Sequence, residues 1–287
     1  MKKIEAQIVA DSISPQGIRI MTYLLTYPRF IHSELMTHRM FSRNSASSRA
    51  IPFKTMLKMV EEDPFIPIAW QKDHKGMQGT EYLDNKLPSA TAEWLRARNQ
   101  AIRFAKELNN SHDVTKQLCN RLLEPFMWHT VLVTATEYDN SFELRCPQYG
   151  NNEQGYFKSK KDALRHLQGR GVDITNLLKS TDIEWQKINK SQAEIHIQVL
   201  AEAMWDAMNE SIPKKLKVGE WHIPFRDKID LFKLAKSSNV PQDFYKSECE
   251  YDEDSDSFYQ SYLVPQMIKI ATARVSIKSR YSKISER

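Results

Sequence analysis

The stretch THRMFSRNSASSRAIPF, residues 37–53, decides how this chain is to be read. It gathers His38, Arg39, Arg43 and Arg49 among Ser42, Asn44, Ser45, Ser47 and Ser48, with no acid between them. One reading is a solvated basic loop. The other is a pocket for phosphate, which is met by arginine forks, hydroxyls and free backbone N–H groups converging on one point. Residues 38–49 offer all three. The stretch also runs from an apolar segment into AIPF and contains no glycine, which argues against a flexible linker.

Upstream, PRFIHSELMTHRMF (28–41) predicts a helix opened by Pro28, a residue at home in a first turn, with Ile31 and Leu35 on one face. The serine-arginine stretch then lies at the end of this helix and beyond, where the chain can turn and aim backbone N–H groups. Earlier still, KKIEAQIVA (2–10) alternates, with Ile4, Ala6 and Ile8 on one face, and GIRIMTYLLT (17–26) is rich in β-branched and aromatic residues. Both read as strands.

Downstream, residues 54–90 carry charge, proline and glycine and read as a long surface segment. SATAEWLRARNQAIRFAKELNN (89–110) is an amphipathic helix with Trp94, Ile102 and Leu108 among its apolar positions and Asn109-Asn110 as its stop. DVTKQLCNRLLEPFMW (113–128) reads as another, ending near Pro125. HTVLVTATEYDNSFELR (129–145) starts as a strand around Val131 and Val133, then becomes a short helix, with Thr134 and Glu137 spaced as a capping box. SQAEIHIQVLAEAMWDAM (191–208) is a helix with Ile197, Leu200, Met204 and Met208 in core register.

The 287 residues suffice for a large core, and 41% hydrophobic residues with eight glycines is an ordinary globular composition. No apolar run approaches the ~20 residues of a membrane span. The N-terminus MKKIEAQIVADS lacks the apolar core of a signal peptide, so the cytoplasm is the expected compartment. Cys119, Cys146 and Cys249 are far apart and odd in number and form no C-x-x-C pair, so neither a disulfide framework nor a zinc ribbon is indicated. A formal net charge of +5 suits anionic small substrates as well as weak nucleic-acid binding.

No G-x-G-x-x-G follows a strand, and neither a P-loop nor a G-x-S-x-G elbow occurs. His32, Glu34 and His38 do not have metalloprotease spacing. Cys119 and Cys146 lack a visible activating partner and read as core. Arg121 in NRLLEP and Arg145 in FELRC are cations beside apolar residues, either snorkelling and ion-paired or functional. ECEYDEDSDSFY (248–259) lacks the glycine and closing glutamate of a calcium loop and reads as a solvated acidic loop. No metal site is expected.

With these residues in view, a family resemblance follows. The flavin-dependent thymidylate synthases carry the signature R-H-R-x-x-S-x-N-x-x-S-x-R, and Thr37 to Arg49 match six of its seven fixed positions, Thr37 replacing the first arginine. NRLLEPF resembles the family helix with an arginine four residues before a proline, which implies that Arg121 binds nucleotide. TATEYDNSFELR resembles the segment in which Asn140 would touch the flavin and Arg145 the uracil. SQAEIHIQVLAEAM resembles the following helix. ATARVSIKSR near the C-terminus resembles an ARVS segment that most members carry near the N-terminus, placing Ser276 beside the flavin and suggesting a permuted, long form like those of some phages and bacteria. The departures are Thr37, Glu34 for a glutamine, Ser45 for a glutamate and Ala50 for a tyrosine. The family's SPFEH segment does not follow ARVS before Arg287. Either Tyr23 to Glu34 supply those contacts or the polypeptide continues.

The resemblance implies an α+β fold: one catalytic domain over 1–287, a central antiparallel sheet flanked by helices, and a mostly helical inserted subdomain at 147–190. SKKDALRHL in that insert starts like a capping box at Ser159 and Asp162. The implied reaction methylates dUMP to dTMP, with methylenetetrahydrofolate giving the carbon and NADPH the hydride through FAD. His38, Arg39, Asn140 and Ser276 would hold FAD. Glu34, Ser45, Ser47, Ser48, Arg49, Arg121 and Arg145 would hold the nucleotide, Arg145 also stabilising the uracil as its ring nitrogen loses a proton. A homotetramer with shared sites is implied, with no membrane and no stable nucleic-acid partner, in a bacterial or phage-infected cytoplasm. Two alternatives stay open. One is a related flavin and folate enzyme making a hydroxymethyl pyrimidine or a methylated base in RNA. The other is a nucleic-acid-binding protein using residues 37–49 and 158–170.

Overall fold

A computed structural model describes residues 2–75, 79, 81–83, 86–151, 155–218 and 220–225. Ser276 with its ARVS segment, Cys249 and the acidic run 248–259 lie outside the described residues. The chain divides into two compact units. Among the described residues, one joins those up to Ile8 with Tyr23–Ser211, and the other joins Val9–Thr22 with those from Ile212 to Phe225.

Strands β1 (Glu5–Ile13) and β2 (Arg19–Pro28) contribute to both units. In the first unit, their outer parts extend through β4 (Trp128–Ala135) to β3 (Ser42–Ser45), in the order β3-β4-β2-β1. Tyr23, Leu25 and Tyr27 of β2 are wholly buried, as the period of two requires for an inner strand. Val131, Val133 and Ala135 alternate in the same way on β4. β3 pairs with β4 antiparallel, Ser42 opposite Thr134 and Ser45 opposite Val131.

The strand at Ser42–Ser45 corrects the expectation of a free turn there. An edge strand needs only one partner, so a segment without hydrophobic alternation can pair when its neighbour is as apolar as β4. The helix before it is also shorter than its periodicity suggests. A 3-10 turn (Arg29–Ile31) leads into α1 (His32–Met36), which stops because Arg43 reaches back and donates from Nη1 to the carbonyls of Leu35, Met36 and His38, at 3.4, 3.1 and 3.0 Å. Arg43 is thus a C-terminal cap.

A helical layer encloses one apolar cluster. It contains α2 (Phe53–Glu62), α3 (Leu87–Ser111), α4 (Lys116–Cys119) and a 3-10 run (Asn120–Phe126). Met56, Val60, Cys119 and Leu123 are wholly buried at its centre, with Ile102 and Ala105 of α3 against them and Trp94 and Leu108 partly buried. The expected single helix over 113–128 is split. Thr115 caps α4, accepting from the Gln117 N–H, and Pro125 within the 3-10 run has no N–H to continue an α-helix.

α5 (Asp139–Arg145) follows β4 directly. The expected Thr134 and Glu137 capping box does not form, because Thr134 is still paired in β4; Glu137 alone serves the helix start, accepting from the Asn140 N–H at 3.2 Å. Residues 147–190 contain the antiparallel pair β5 (Tyr149–Asn151) and β6 (Gly155–Phe157), then α6 (Lys160–Gly169), a 3-10 turn (Leu177–Lys179) and α7 (Asp182–Ile188), around Tyr149, Ala163 and Trp185. Ser159 caps α6 as its spacing predicts. α8 (Ile195–Glu210) buries Ile197, Leu200 and Met204, whereas Met208 is only half-buried.

In the second unit, β7 (Lys214–Lys215) pairs parallel with β1, Ser12 opposite Lys214. This makes the five-stranded sheet mixed; the antiparallel expectation holds for β3 and β4. Asp11 and Arg19 form a two-bond ion pair across the hairpin, and His222 bridges Thr22 Oγ1 and Ser12 Oγ. No helix of the described residues is long and apolar enough to cross a membrane.

Candidate active site

The turn after α1 and the start of α5 face each other across a cleft of about 240 Å³, lined by Thr37, His38 and Arg39 on one side and Glu137, Asn140 and Ser141 on the other. Arg145 lies one helical turn beyond Ser141 on the same face of α5. Its Nε donates to His38 Nε2 and its Nη2 to Thr37 Oγ1, both at 3.3 Å. Arginine can only donate, so His38 Nε2 accepts and the imidazole proton sits on Nδ1. Burial holds the His38 pKa below the ordinary histidine value, and the Arg145 and Arg43 charges add to that. His38 is therefore neutral, packed beside Phe41.

Glu34 on α1 also feels the Arg145 charge. Its Oε2 is sealed from solvent and has no hydrogen-bond partner among the described residues. Burial raises its pKa, the Glu194 carboxylate raises it further, and the Arg145 charge opposes the shift. Glu194 is itself fully engaged. It caps α8, accepting from the backbone N–H of His196 and Ile197, and takes a 2.5 Å bond from His196 Nδ1. His196 Nε2 accepts from the Ile68 N–H, which leaves the ring proton on Nδ1 for Glu194.

Glu34→Gln should raise the melting temperature, because it removes an unpaired acid facing a second carboxylate. The sign of the pH dependence follows from the raised pKa. A carboxyl that binds its proton more tightly in the folded state loses stability as pH rises from its unfolded value toward its folded one. The gain of the variant should therefore be absent in acid and grow through that window. Melting curves across pH check this, and a gain that does not vary with pH would contradict it.

The remaining sequence candidates cluster beyond β3. Along the four residues of this strand they lie roughly 13 Å further on. Ser45 is exposed at the end of β3. Ser47 Oγ accepts from the Arg49 N–H at 3.3 Å. Ser48 is buried and its hydroxyl is committed to Glu124. Arg49 holds Gln117 Oε1 through Nε and Nη2, at 3.2 and 3.0 Å. Arg121 is exposed on the 3-10 run against which this turn packs. Arg39 and Asn140 expose side chains that have no partner among the described residues.

Several site residues escape the sequence reading. Thr37, a departure from the family pattern, bonds Arg145. Glu137 and Ser141 line the cleft, and α5 periodicity (Ser141 and Arg145 four apart) is the signal that could have found Ser141. Arg29, His129, His32 and Tyr27 form a partly buried network, with Arg29 donating to His129 Nε2 at 2.9 Å and Tyr27 bonded to His32 Nδ1 at 2.7 Å. Burial, with the Arg29 charge, lowers His32 to about 4 and His129 to about 3. Both are neutral structural groups. Cys119 and Cys146 are buried, and burial pushes both thiols upward, away from nucleophilic thiolate.

No protein family known from sequence and no curated protein matches the chain. Among solved structures, it is similar to the UMP/dUMP methylase PolB from Streptomyces cacaoi bound with 5-Br dUMP, at 14% identity and TM-score 0.49, over 73% of this chain and 91% of that one. The same methylase bound with 5-Br UMP gives 15% and 0.47, over 73% and 90%. Thymidylate synthase X from Helicobacter pylori with FAD and dUMP gives 14% and 0.32, over 66% and 67%. At TM-scores below 0.5 these likenesses assign neither an activity nor a site to this chain.

Proposed function

We propose that this chain is a flavin-dependent enzyme that methylates dUMP to dTMP, with methylenetetrahydrofolate as carbon donor and NADPH as reductant. The observation that carries the reading is the meeting of two segments 107 residues apart, in which Arg145 bonds His38 and Thr37. These are the segments that the signature resemblance would place in one site. The donors fit a large anionic cofactor, because Arg39 and Asn140 offer unengaged polar groups at the cleft, next to the apolar Met40 and Phe41. When bound, FAD would supply the hydride relay.

The chain's own residues position and charge-stabilise. Neutral His38 offers Nδ1–H as a donor without adding charge. Arg145, partly spent on His38 and Thr37, has donors left for a uracil that gains negative charge as its ring nitrogen loses a proton. Arg49, Ser47 and Arg121 would take the phosphate, and Glu34 and Ser45 would border the nucleotide. Exposed Met36, Met40 and Leu144 leave apolar surface near the cleft, which supports the implied homotetramer with shared sites.

In the nucleic-acid reading, four cations of the 158–170 stretch are already ion-paired within the chain. Lys158 pairs with Glu143, Lys160 with Asp182, Lys161 with Glu210 and Arg165 with Asp162. Protein incubated with FAD and desalted should be yellow and should form dTMP when given dUMP, methylenetetrahydrofolate and NADPH. A colourless protein that binds single-stranded DNA with steep salt dependence would overturn the proposal. A product heavier by one oxygen would point to the hydroxymethyl alternative.

A further inference from the structure

The turn at 47–51 has no glycine, and within it the Ala50 N–H donates to the Ser47 carbonyl at 2.9 Å. It is held from outside, at every residue from Ser48 to Ile51. Lys116 Nζ donates to the Ala50 carbonyl at 3.3 Å. Gln117 Oε1 accepts twice from Arg49. Asn120 Nδ2 donates to the carbonyls of Ser48 and Ile51, at 2.7 and 2.9 Å. Glu124 accepts from the Ser48 hydroxyl. Lys116 on α4 and Asn120 and Glu124 on the 3-10 run thus all reach the same turn.

Asn120 is the centre of this arrangement. It is wholly buried, and its amide joins the two ends of the turn. The amide orientation is set by its partners, since the reverse would press Oδ1 against two carbonyl oxygens. As a result Oδ1 is buried without a partner among the described residues. A buried acceptor left unsatisfied is unfavourable, and here it accompanies two donor bonds that fix the turn. Gln117 meanwhile occupies Nε–H and one Nη2–H of Arg49, which leaves three of the five guanidinium N–H groups for another acceptor.

We infer that Asn120 is a positioning residue that presets the turn so that Arg49 takes a phosphate monoester, with Gln117 setting the direction of the Arg49 guanidinium. The inference rests on the proposed function for the identity of the phosphate's carrier, dUMP. A flexible turn would have to be ordered on binding, at a cost in affinity that the preset turn avoids. The phosphate does not react, so losing this order should weaken binding and leave turnover of the saturated enzyme alone.

The test measures calorimetric affinity of the FAD-loaded protein for dUMP and for deoxyuridine, which lacks the phosphate, together with KM and kcat. Asn120→Asp keeps the shape and removes the donor. It should weaken dUMP binding about tenfold, the equivalent of one lost hydrogen-bonded constraint, with deoxyuridine affinity and kcat held. Gln117→Leu, at an exposed position that does not threaten folding, should shift dUMP affinity in the same direction. Equal losses for dUMP and deoxyuridine would make Asn120 merely structural and overturn the inference. So would unchanged dUMP affinity in Asn120→Asp or, if that variant does not fold, in Gln117→Leu. Wild-type protein that binds no dUMP removes the proposed function and the inference together, whereas intact wild-type binding with unaffected variants removes the inference alone.

Discussion

Arg145→Lys is expected to slow dUMP turnover about a hundredfold, equivalent to roughly 3 kcal/mol of transition-state stabilisation, while FAD binding stays near wild type. Arg145 spends Nε on His38 and Nη2 on Thr37, which fixes the plane of the guanidinium and directs its remaining donors. A lysine ammonium is a point charge on a flexible stem. It can keep a bond to His38 or face the uracil, and it cannot copy the fork that does both. The charge itself is retained. His38 therefore stays under a neighbouring cation and remains neutral, and the favourable placement of a cation in the last turn of α5 is preserved. For these reasons the melting temperature should change little. Thermal melting and dUMP-dependent oxidation of reduced flavin, measured on the same preparation, separate the outcomes. Normal turnover with a lowered melting temperature would leave Arg145 a structural residue at a helix end.

The parts of this molecule that were legible in the sequence are those where burial writes a period. α3 and α8 announce themselves by apolar spacing, and β2 by its run of large residues, because each packs a whole face against a core. The stretch 37–49 is legible as chemistry and misleading as structure. Its polar residues show neither period, so nothing local says that Ser42–Ser45 pair with β4; the apolar partner strand decides it from some ninety residues away. Arg43 looked like one more ligand and is a helix cap, because its carbonyl partners become visible only once α1 has ended. The trio Lys116, Asn120 and Glu124 fails for a different reason. Polar residues every four positions normally mark a solvated face, and only the folded chain shows wholly buried Asn120 turned toward a loop that needs donors. The mutual contact of Arg145, His38 and Thr37 likewise depends on tertiary closure. A family pattern can suggest it, and no spacing can.

The same logic of polar residues at helical spacing leads to a large stability effect on α8, where Glu202, Asp206 and Glu210 face the start of α6. Glu202 is buried, and its carboxylate accepts from the Lys160 N–H at 2.7 Å and from the wholly buried Tyr149 hydroxyl at 3.4 Å. Lys160 opens α6, so its N–H is one of the donors that the helix cannot satisfy internally. Asp206 and Glu210 ion-pair with Lys161, and Trp205 donates to Asp162 at 2.5 Å. Glu202 is the buried member of this group, so its loss leaves both donors without their acceptor. Glu202→Ala should destabilise by about 3 kcal/mol, from two buried groups left unpaired, and lower the melting temperature on the order of 6–12 °C. Glu202→Gln keeps an acceptor for the Lys160 N–H and should recover most of that. Burial holds the Glu202 pKa above the ordinary carboxyl value, so the wild type loses stability as pH rises through the window between its unfolded and folded values, whereas glutamine does not titrate. The glutamine variant should therefore compare most favourably with wild type at neutral pH and least favourably in acid. Trp185 packs on Tyr149 within the segment that Glu202 anchors, so faster amide exchange at Lys160 and a change in Trp185 fluorescence should accompany the alanine substitution, with exchange in β2 slowed or quickened only in step with global stability. An alanine variant that melts like wild type and keeps Lys160 protected would show that the ion pairs of Asp206 and Glu210 hold α6 without Glu202.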